Sequence, residues 1–210
     1  MNETLERIAT IQQVDVGGHR RVRVRQNGRE VASLLAETGA ANPIAAEVGV
    51  HQATTSTFLL EVFPALYLWM IDPWTLYPAY EPWTKGETQA DWDDIAERVE
   101  RVTHRYSRRR AIIRLPSVEA AKMIADGSLD LVYIDACHTE EHVAADIRAW
   151  WPKVRDGGVL CGDDYYRRAV RKAVDPWSDE IGVQVASCSR DRIFSCWKKE
   201  PFCGKGGLGR

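Results

Sequence analysis

The chain has 210 residues, 45% of them hydrophobic, and a formal net charge of −2. That length suits one domain with a sizeable core, and the near-neutral balance gives no global bias toward nucleic acid or an anionic membrane. The five cysteines form no CxxC pair and no framework spacing, so reduced thiols in a cytoplasmic protein are expected.

The start, Met1-Asn-Glu-Thr-Leu-Glu-Arg, lacks the apolar region of a signal peptide. The most apolar stretch, Leu59 to Ile71, is broken by Glu61 and Pro64 and is too short to span a bilayer. Residues 1–40 read as an N-terminal extension packing on a main domain at 41–200, with a flexible tail at 201–210. Within the extension Val22-Arg-Val-Arg25 alternates and Asn27-Gly28 is a good hairpin turn, which predicts a small β-ribbon. Glu30 to Thr38 reads as a short helix ending near Gly39.

A strand–helix rhythm then sets in. Pro43 to Val48 is predicted as a first core strand, Thr54 to Phe63 as a helix stopped by Pro64, and Ala65 to Ile71 as a second strand ending at Asp72-Pro73. Asp91 to Arg108 is predicted helical, with Trp92, Ile95, Val99, Val102 and Tyr106 on one face. Ala111 to Ile113 is a third strand. Ser117 to Asp126 is a helix with Ser117 as N-cap and Gly127 as stop. Leu131 to Ile134, an unbroken apolar run, is a fourth strand buried on both faces. Glu140 to Trp151 is a helix closed by Pro152, Val159 to Cys161 a fifth strand, and Tyr166 to Val174 a further helix. Val183 to Ser187 and Arg192 to Trp197 pair as a closing hairpin. Alternating β and α units imply an α/β fold with a mostly parallel sheet and helices on both faces. The final β–β pair implies one antiparallel edge strand.

Two strands of this series end in surplus carboxylate: Asp130-Leu-Val-Tyr-Ile-Asp135-Ala-Cys-His138 and Gly157-Gly-Val-Leu-Cys-Gly-Asp163-Asp164. Side chains at the C-terminal ends of parallel strands converge on the ligand crevice. Ionised carboxylates do not crowd together without a cation or another function.

The first strand runs into Glu47-Val-Gly49-Val-His-Gln-Ala53-Thr54-Thr55-Ser56. A pyrophosphate-binding turn wants G-x-G-x-x-G. Only Gly49 is present, which speaks against NAD or FAD and suits a cofactor without phosphate, whose carboxylate is met by a helix N-terminus and hydroxyls. Thr54, Thr55 and Ser56 supply hydroxyls; they serve equally well as N-cap residues. Asp72 ends the second strand, where an acid commonly takes ribose hydroxyls, or it forms an Asp-Pro turn.

Taken in order, Glu47-x-Gly49-x-x-x-Ala53-x-Thr55, Asp72, Ser117, Tyr-Ile-Asp135-Ala-x-His138 and Gly157-Gly-Val-Leu-x-Gly-Asp163-Asp164 resemble the class I S-adenosylmethionine-dependent methyltransferases. The chain is most similar to the small-molecule O-methyltransferases of the catechol O-methyltransferase-like and macrocin-type group, over residues 43 to 198. The resemblance implies a Rossmann-like, doubly wound, seven-stranded sheet. It implies that Glu47 and Gly49 shape the cofactor turn, Thr55 meets the methionine carboxylate, Asp72 holds the ribose, Ser117 lies beside the adenine, and Asp135 borders the cofactor. Ala53 departs from the family's usual glycine, so the turn is expected to be tighter or the cofactor displaced. Tyr133 is expected in the core.

The same resemblance implies a divalent cation, Mg²⁺, held by Asp135, Asp163 and Asp164, with His138 as the base that takes the substrate proton. The residue types suit the roles: Mg²⁺ prefers oxygen ligands, a bound cation lowers a hydroxyl's pKa, and histidine titrates near neutrality. The bland alternative has Asp163 capping the next helix, Asp164 in solvent and His138 capping. His138-Thr-Glu-Glu141-His142 matches H-x-x-E-H, a zinc-protease pattern, but His138 precedes the predicted helix.

The long connection after Asp72 carries Trp74, Tyr77, Tyr80 and Trp83, which with Tyr165 and Tyr166 wall an aromatic or sugar-like substrate or pack on the fold. Trp150 and Trp151 read as core. The basic clusters His19 to Arg25 and Arg105 to Arg110 read as solvated faces. The expectation is therefore a cytoplasmic enzyme that uses S-adenosylmethionine and Mg²⁺ to methylate a hydroxyl of a small molecule. It has no membrane or nucleic-acid partner, and a homo-oligomer is left open. Metal-independent transfer on the same fold, or a non-catalytic nucleotide- or S-adenosylmethionine-binding protein, are the alternatives.

Overall fold

The computed structural model describes residues 2–17, 20–76, 84–188 and 192–199. The predicted tail, along with Tyr77, Tyr80 and Trp83, lies outside the described residues.

A seven-stranded sheet forms the centre, built from β3 (Ile44–Val48), β4 (Tyr67–Ile71), β5 (Arg110–Ile113), β6 (Leu129–Ile134), β7 (Val154–Gly162), β8 (Val185–Cys188) and β9 (Ile193–Trp197), in the order β5-β4-β3-β6-β7-β9-β8. β5, β4, β3, β6 and β7 are mutually parallel. β9 runs against both β7 and β8, so the antiparallel pairing is confined to one edge. This is the doubly wound architecture that the alternating sequence predicts.

Strand order reverses between β3 and β6, which makes their C-terminal ends the topological switch point where such sheets bind ligands. Register fixes what gathers there. Val48 lies opposite both Ile71 and Ile134, and Ile134 opposite Gly162. The next residue of each strand continues the ladder: Asp72 N–H donates to Ile113 O, Gly49 to Ile71 O, Asp135 to Val48 O and Asp163 to Ile134 O. Asp72, Gly49, Asp135 and Asp163 therefore stand in one row across the sheet.

β6 is buried at every position, and its alternation splits the core. Leu131 and Tyr133 face one cluster, with Val31, Leu35, Phe58, Leu59 and Val62. These come from α2 (Gln26–Glu37) and α3 (Thr54–Val62). Val132 and Ile134 face the other, with Val143, Ile147, Trp150, Val174 and Trp177. Those belong to α6 (Glu140–Trp150) and α7 (Arg168–Ile181). α4 (Gln89–Thr103) starts at a full capping box between Thr88 and Asp91, and α5 (Ser117–Ala121) is a short connector.

Four expectations change. The N-terminus begins with a helix, α1 (Asn2–Thr10), absent from the sequence reading. The ribbon forms, but between β1 (Gln13–Asp15) and β2 (Arg21–Arg23). Asn27-Gly28 is not its turn; it opens α2, where Gly28 packs near Phe58 and Thr55. α7 does not stop at Val174 but continues through Pro176 to Ile181. Finally, Pro116 rather than Ser117 stands at the N-cap position of α5, with no side-chain cap bond, and Ser117 is the first helical residue.

Candidate active site

The row at the switch point opens into a cleft of about 930 Å³. Gly49, Thr54, Thr55, Asp72, Ser117, Asp135, His138, Asp163 and Asp164 line it, as do Asn27, His51 and Asp146. Every residue to which the resemblance gives a cofactor, metal or catalytic role lines this one space, Glu47 included, whereas Ser56, Trp74 and Tyr165 do not.

At the β3 end the chain turns under tight constraint. Gly49 has φ +93, and a Cβ placed there would lie 2.1 Å from Asp135 O and 2.8 Å from Ala136 Cα. Only glycine lets β3 and β6 approach so closely in this conformation. His51 (φ 48) and Ala53 (φ 57) are also left-handed. Ala53 thus takes the glycine-like geometry at the position where the family's usual glycine is missing, at a cost of about 1 kcal/mol or more. The turn leads into α3 with no side-chain cap, leaving its first N–H groups without a side-chain acceptor at the cap.

Glu47, 2% exposed, accepts a very short hydrogen bond from the Ser56 hydroxyl. Burial pushes its carboxyl up to about 8, against the pull of Ser56, with the charges of Asp135 and Asp72 adding to the rise. Ser56 is therefore occupied, and of the three predicted hydroxyls only those of Thr54 and Thr55 line the cleft.

Asp72 is held by backbone: Oδ2 accepts from His51 N–H at 2.8 Å and Oδ1 from Trp74 N–H at 2.7 Å. Burial raises its pKa and these bonds work the other way. Of the two roles open to Trp74, it takes the packing one: it is 1% exposed and donates its indole N–H to His51 O at 3.0 Å.

The far end of the cleft, beyond Asp72, is walled by Pro116, Ser117, Val118, Ala145 and Asp146. Trp150 Nε1 donates to Ser117 Oγ at 2.8 Å, and burial pushes the nearby Asp146 carboxyl up to about 6, with the Ser117 hydroxyl pulling the other way.

At the β6–β7 end one carboxylate, Asp164, meets cations. Tyr133, in the core as expected, donates its hydroxyl to Asp135 Oδ2 at 3.0 Å. Asp163 accepts from Asn27 Nδ2 at 2.6 Å and from Asp164 N–H at 2.7 Å. Burial first, and then the charge of Asp135, push its carboxyl up to about 6. Asp164 (φ 58) is 6% exposed and lies 2.6 Å from Arg167 Nε. Arg192 Nη2 is 3.8 Å from its other oxygen. Asp164 therefore does not face solvent.

His138 Nε2 stands 3.5 Å from Asp135 Oδ1 and 3.8 Å from Asp164 Oδ2. These are ion-pair separations rather than hydrogen bonds, and Nε2 is buried without a closer partner. Burial lowers the imidazole's pKa, but the neighbouring Asp135 and Asp164 carboxylates outweigh it, so the net shift is upward.

Three carboxylates are a hard oxygen donor set of the kind Mg²⁺ takes. Among the described residues, however, no group of three His, Cys, Asp or Glu side chains is placed to hold a metal ion. Arg167 now supplies the counter-charge at Asp164. His142 of the H-x-x-E-H match lies in the first turn of α6 with its N–H on the Thr139 cap.

Asn27, His51 and Asp146 were missed by sequence reasoning. Asp146 carried a usable signal, a carboxylate on the helix face that buries Val143, Ile147 and Trp150. Asn27 carried none, since its partner is 136 residues away.

A family model described as a methyltransferase domain matches residues 46–165. That span is more than half of the chain and contains the whole row from Glu47 to Asp164, so the chain belongs to this methyltransferase family. It is an S-adenosylmethionine-dependent methyltransferase, as its resemblance to the class I enzymes implies. Solved structures share the fold. The O-methyltransferase NovP superposes with a TM-score of 0.63 at 15% identity, over 83% of this chain and 80% of that one. The cofactor-bound Rv0187 from MTB gives 0.62 at 17%, over 94% and 88%. An S-adenosylmethionine-dependent O-methyltransferase from Thermotoga maritima gives 0.58 at 11%, over 94% and 72%. No curated protein matches the sequence.

Proposed function

We propose that the protein methylates a hydroxyl group of a small molecule, with His138 as the base. The observation that carries this reading is the buried, unpartnered His138 Nε2 beside Asp135 and Asp164, where the cofactor end of the cleft meets the acidic end. A hydroxyl must lose its proton as it attacks, so an O-methyltransferase needs an acceptor for that proton. A neutral amine can attack without first losing one. The cleft volume lies in the range of small-molecule sites, and Tyr166 and Trp92 give its walls aromatic surface.

S-adenosylmethionine, when bound, supplies a methyl group on a sulfonium, open to in-line displacement. Gly49 leaves room for it by backbone approach, and Thr55 with the uncapped start of α3 meets its carboxylate. The free lone pairs of Asp72 accept from the ribose hydroxyls, Ser117 borders the adenine, and Glu47 shapes the turn from beneath. His138 takes the acceptor's proton at Nε2. Asp135 and Asp164 stabilise the resulting imidazolium by charge, and burial in the cleft limits access of competing water.

The proposal extends to a divalent cation, Mg²⁺, on Asp135, Asp163 and Asp164. The repulsion between Asp135 and Asp163 that raises the latter supports it, since a cation there relieves that repulsion. It would have to replace Arg167 as the counter-charge of Asp164. When bound it would acidify the acceptor hydroxyl. The cytoplasm suits the free thiols of Cys137, Cys161, Cys188 and Cys196. Among the described residues no helix is long and apolar enough to cross a membrane.

The test is S-adenosylhomocysteine formation over a panel of phenols, sugars and amines, with EDTA and with Mg²⁺ restored. Turnover confined to hydroxylated acceptors supports the reading, and turnover only on amines overturns it. Full activity in EDTA overturns the cation alone.

A further inference from the structure

Arg20, Arg25, Arg167 and Arg192 line the cleft. Arg167 and Arg192 face Asp164. Arg20 and Arg25 are exposed, and among the described residues no carboxylate pairs with either. Each of these two breaks a local rule of the fold.

Successive side chains of a strand point to opposite faces. Along β2, residues 20, 22 and 24 line the cleft and Arg21 and Arg23 do not. Val22 is half-buried and Val24 buried, so the alternation calls for a third apolar residue at position 20. An arginine stands there. Arg25 is the N-cap of α2, extended at φ −74 and ψ 160, and its side chain makes no cap bond. Serine, threonine, aspartate or asparagine suits that position, and a cation there opposes the helix dipole. Folding explains neither charge, and local rules broken without structural return mark functional sites.

The neighbours of Arg25 place it at the acceptor end of the cleft. Two residues on, Asn27 donates to Asp163 Oδ2 at 2.6 Å, and Gly28 packs near Thr55 at the start of α3. α2 therefore opens between the acids around His138 and the cofactor turn. An acceptor with its hydroxyl at His138 has the Val22–Val24 face to lie along, with unpaired guanidinium groups at the two ends of that face.

We propose that the acceptor carries an anionic group, a carboxylate or a phosphate, remote from the hydroxyl that is methylated. Arg25 binds it, and Arg20 adds positive potential on the same wall. This rests on the reading of the cleft as an O-methyltransferase site and names the class of its acceptor. A guanidinium presents a planar fork of donors that matches either oxyanion.

The experiment is S-adenosylhomocysteine formation by the full chain from matched acceptors: protocatechuate against its methyl ester, and glucose-6-phosphate against glucose. In at least one pair the anionic member should have the higher kcat/KM, by about ten- to a hundredfold, the span of a charge-assisted hydrogen bond. The pair that responds tells carboxylate from phosphate. Arg25→Gln should cut that preference at least about tenfold, chiefly through KM, because the contact lies away from the reacting oxygen. Arg23→Gln removes the same charge from the face turned away from the cleft and should leave the preference as it was. Neutral members that match or exceed the anionic ones in every pair overturn the proposal. So does a preference that survives Arg25→Gln, or one that Arg23→Gln lowers equally, which would trace it to the overall charge of the ribbon. Turnover of no hydroxylated acceptor by a chain that binds S-adenosylhomocysteine defeats the O-methylation reading itself, and is distinguishable from all three.

Discussion

The two ends of the cleft treat their acids differently. At the β3–β4 end, Glu47 and Asp72 are held by uncharged donors: a serine hydroxyl and two backbone N–H groups. At the β6–β7 end Asp163 also takes neutral donors, from Asn27 and a backbone N–H, but Asp164 sits against Arg167, Arg192 and His138. Neutral donors leave a carboxylate ready for hydroxyls and amines, the groups a nucleoside carries. Cationic partners leave it ready to balance a charge that appears and disappears, as on a base taking up a proton. Both ends meet where Gly49 lies against Asp135 O.

Breaking that meeting point should have the largest effect. Gly49→Ala forces a Cβ to within 2.1 Å of a backbone oxygen at φ +93. We expect a cost of about 3 kcal/mol or more in stability and loss of measurable S-adenosylhomocysteine binding. Thermal melts and calorimetry read the two effects. A variant with wild-type affinity would show that the two ends are not joined through this turn.

His138→Ala should separate the ends. Removing a general base lowers kcat by about 10²–10⁴-fold, while cofactor affinity, set at the other end, should stay within about twofold. Equal losses in kcat and in affinity would mean that the imidazole holds the cofactor rather than the proton.

Asp72→Asn does the converse at smaller scale. One of its two oxygens becomes an amide that opposes the N–H of either His51 or Trp74. S-adenosylhomocysteine should bind about ten- to a hundredfold more weakly, while kcat at saturating cofactor changes less. A kcat loss as large as that of His138→Ala would contradict the division of labour.

How much of this was legible follows from the range of each interaction. β6 and the row of strand ends are local patterns: an apolar run followed by a carboxylate is visible in Leu131 to Asp135, and parallel pairing aligns such ends by itself. Ala53 was legible as a departure, and the left-handed backbone there reports what the departure requires. Asn27-Gly28 misled because turn propensity is a local signal. Its outcome was set by Asp163, far along the chain, and by the α3 surface against which Gly28 packs. α7 outran Pro176 because Val170, Val174 and Trp177 bury one continuous stripe, and tertiary packing outweighed the missing N–H. The arginines at Asp164 were invisible as partners because each reads alone as a surface charge.

The last prediction concerns Glu47, and its sign is specific. Its folded pKa of about 8 lies above the ordinary 4.5, so between those values the folded chain keeps a proton that the unfolded chain has released. The unfolded state binds fewer protons there, and stability therefore falls as pH rises from about 4.5 to about 8 and levels off beyond. Within that window the contribution is about 1.4 kcal/mol per pH unit at most. Glu47→Gln keeps the shape and an acceptor for Ser56 but cannot ionise. Its denaturation midpoint, measured from pH 5 to 8.5, should gain steadily on the wild type up to pH 8 and then run parallel. Curves parallel throughout would mean that Glu47 is ionised in the folded protein. The β3 turn would then carry a charge, and the cofactor end would resemble the acidic end.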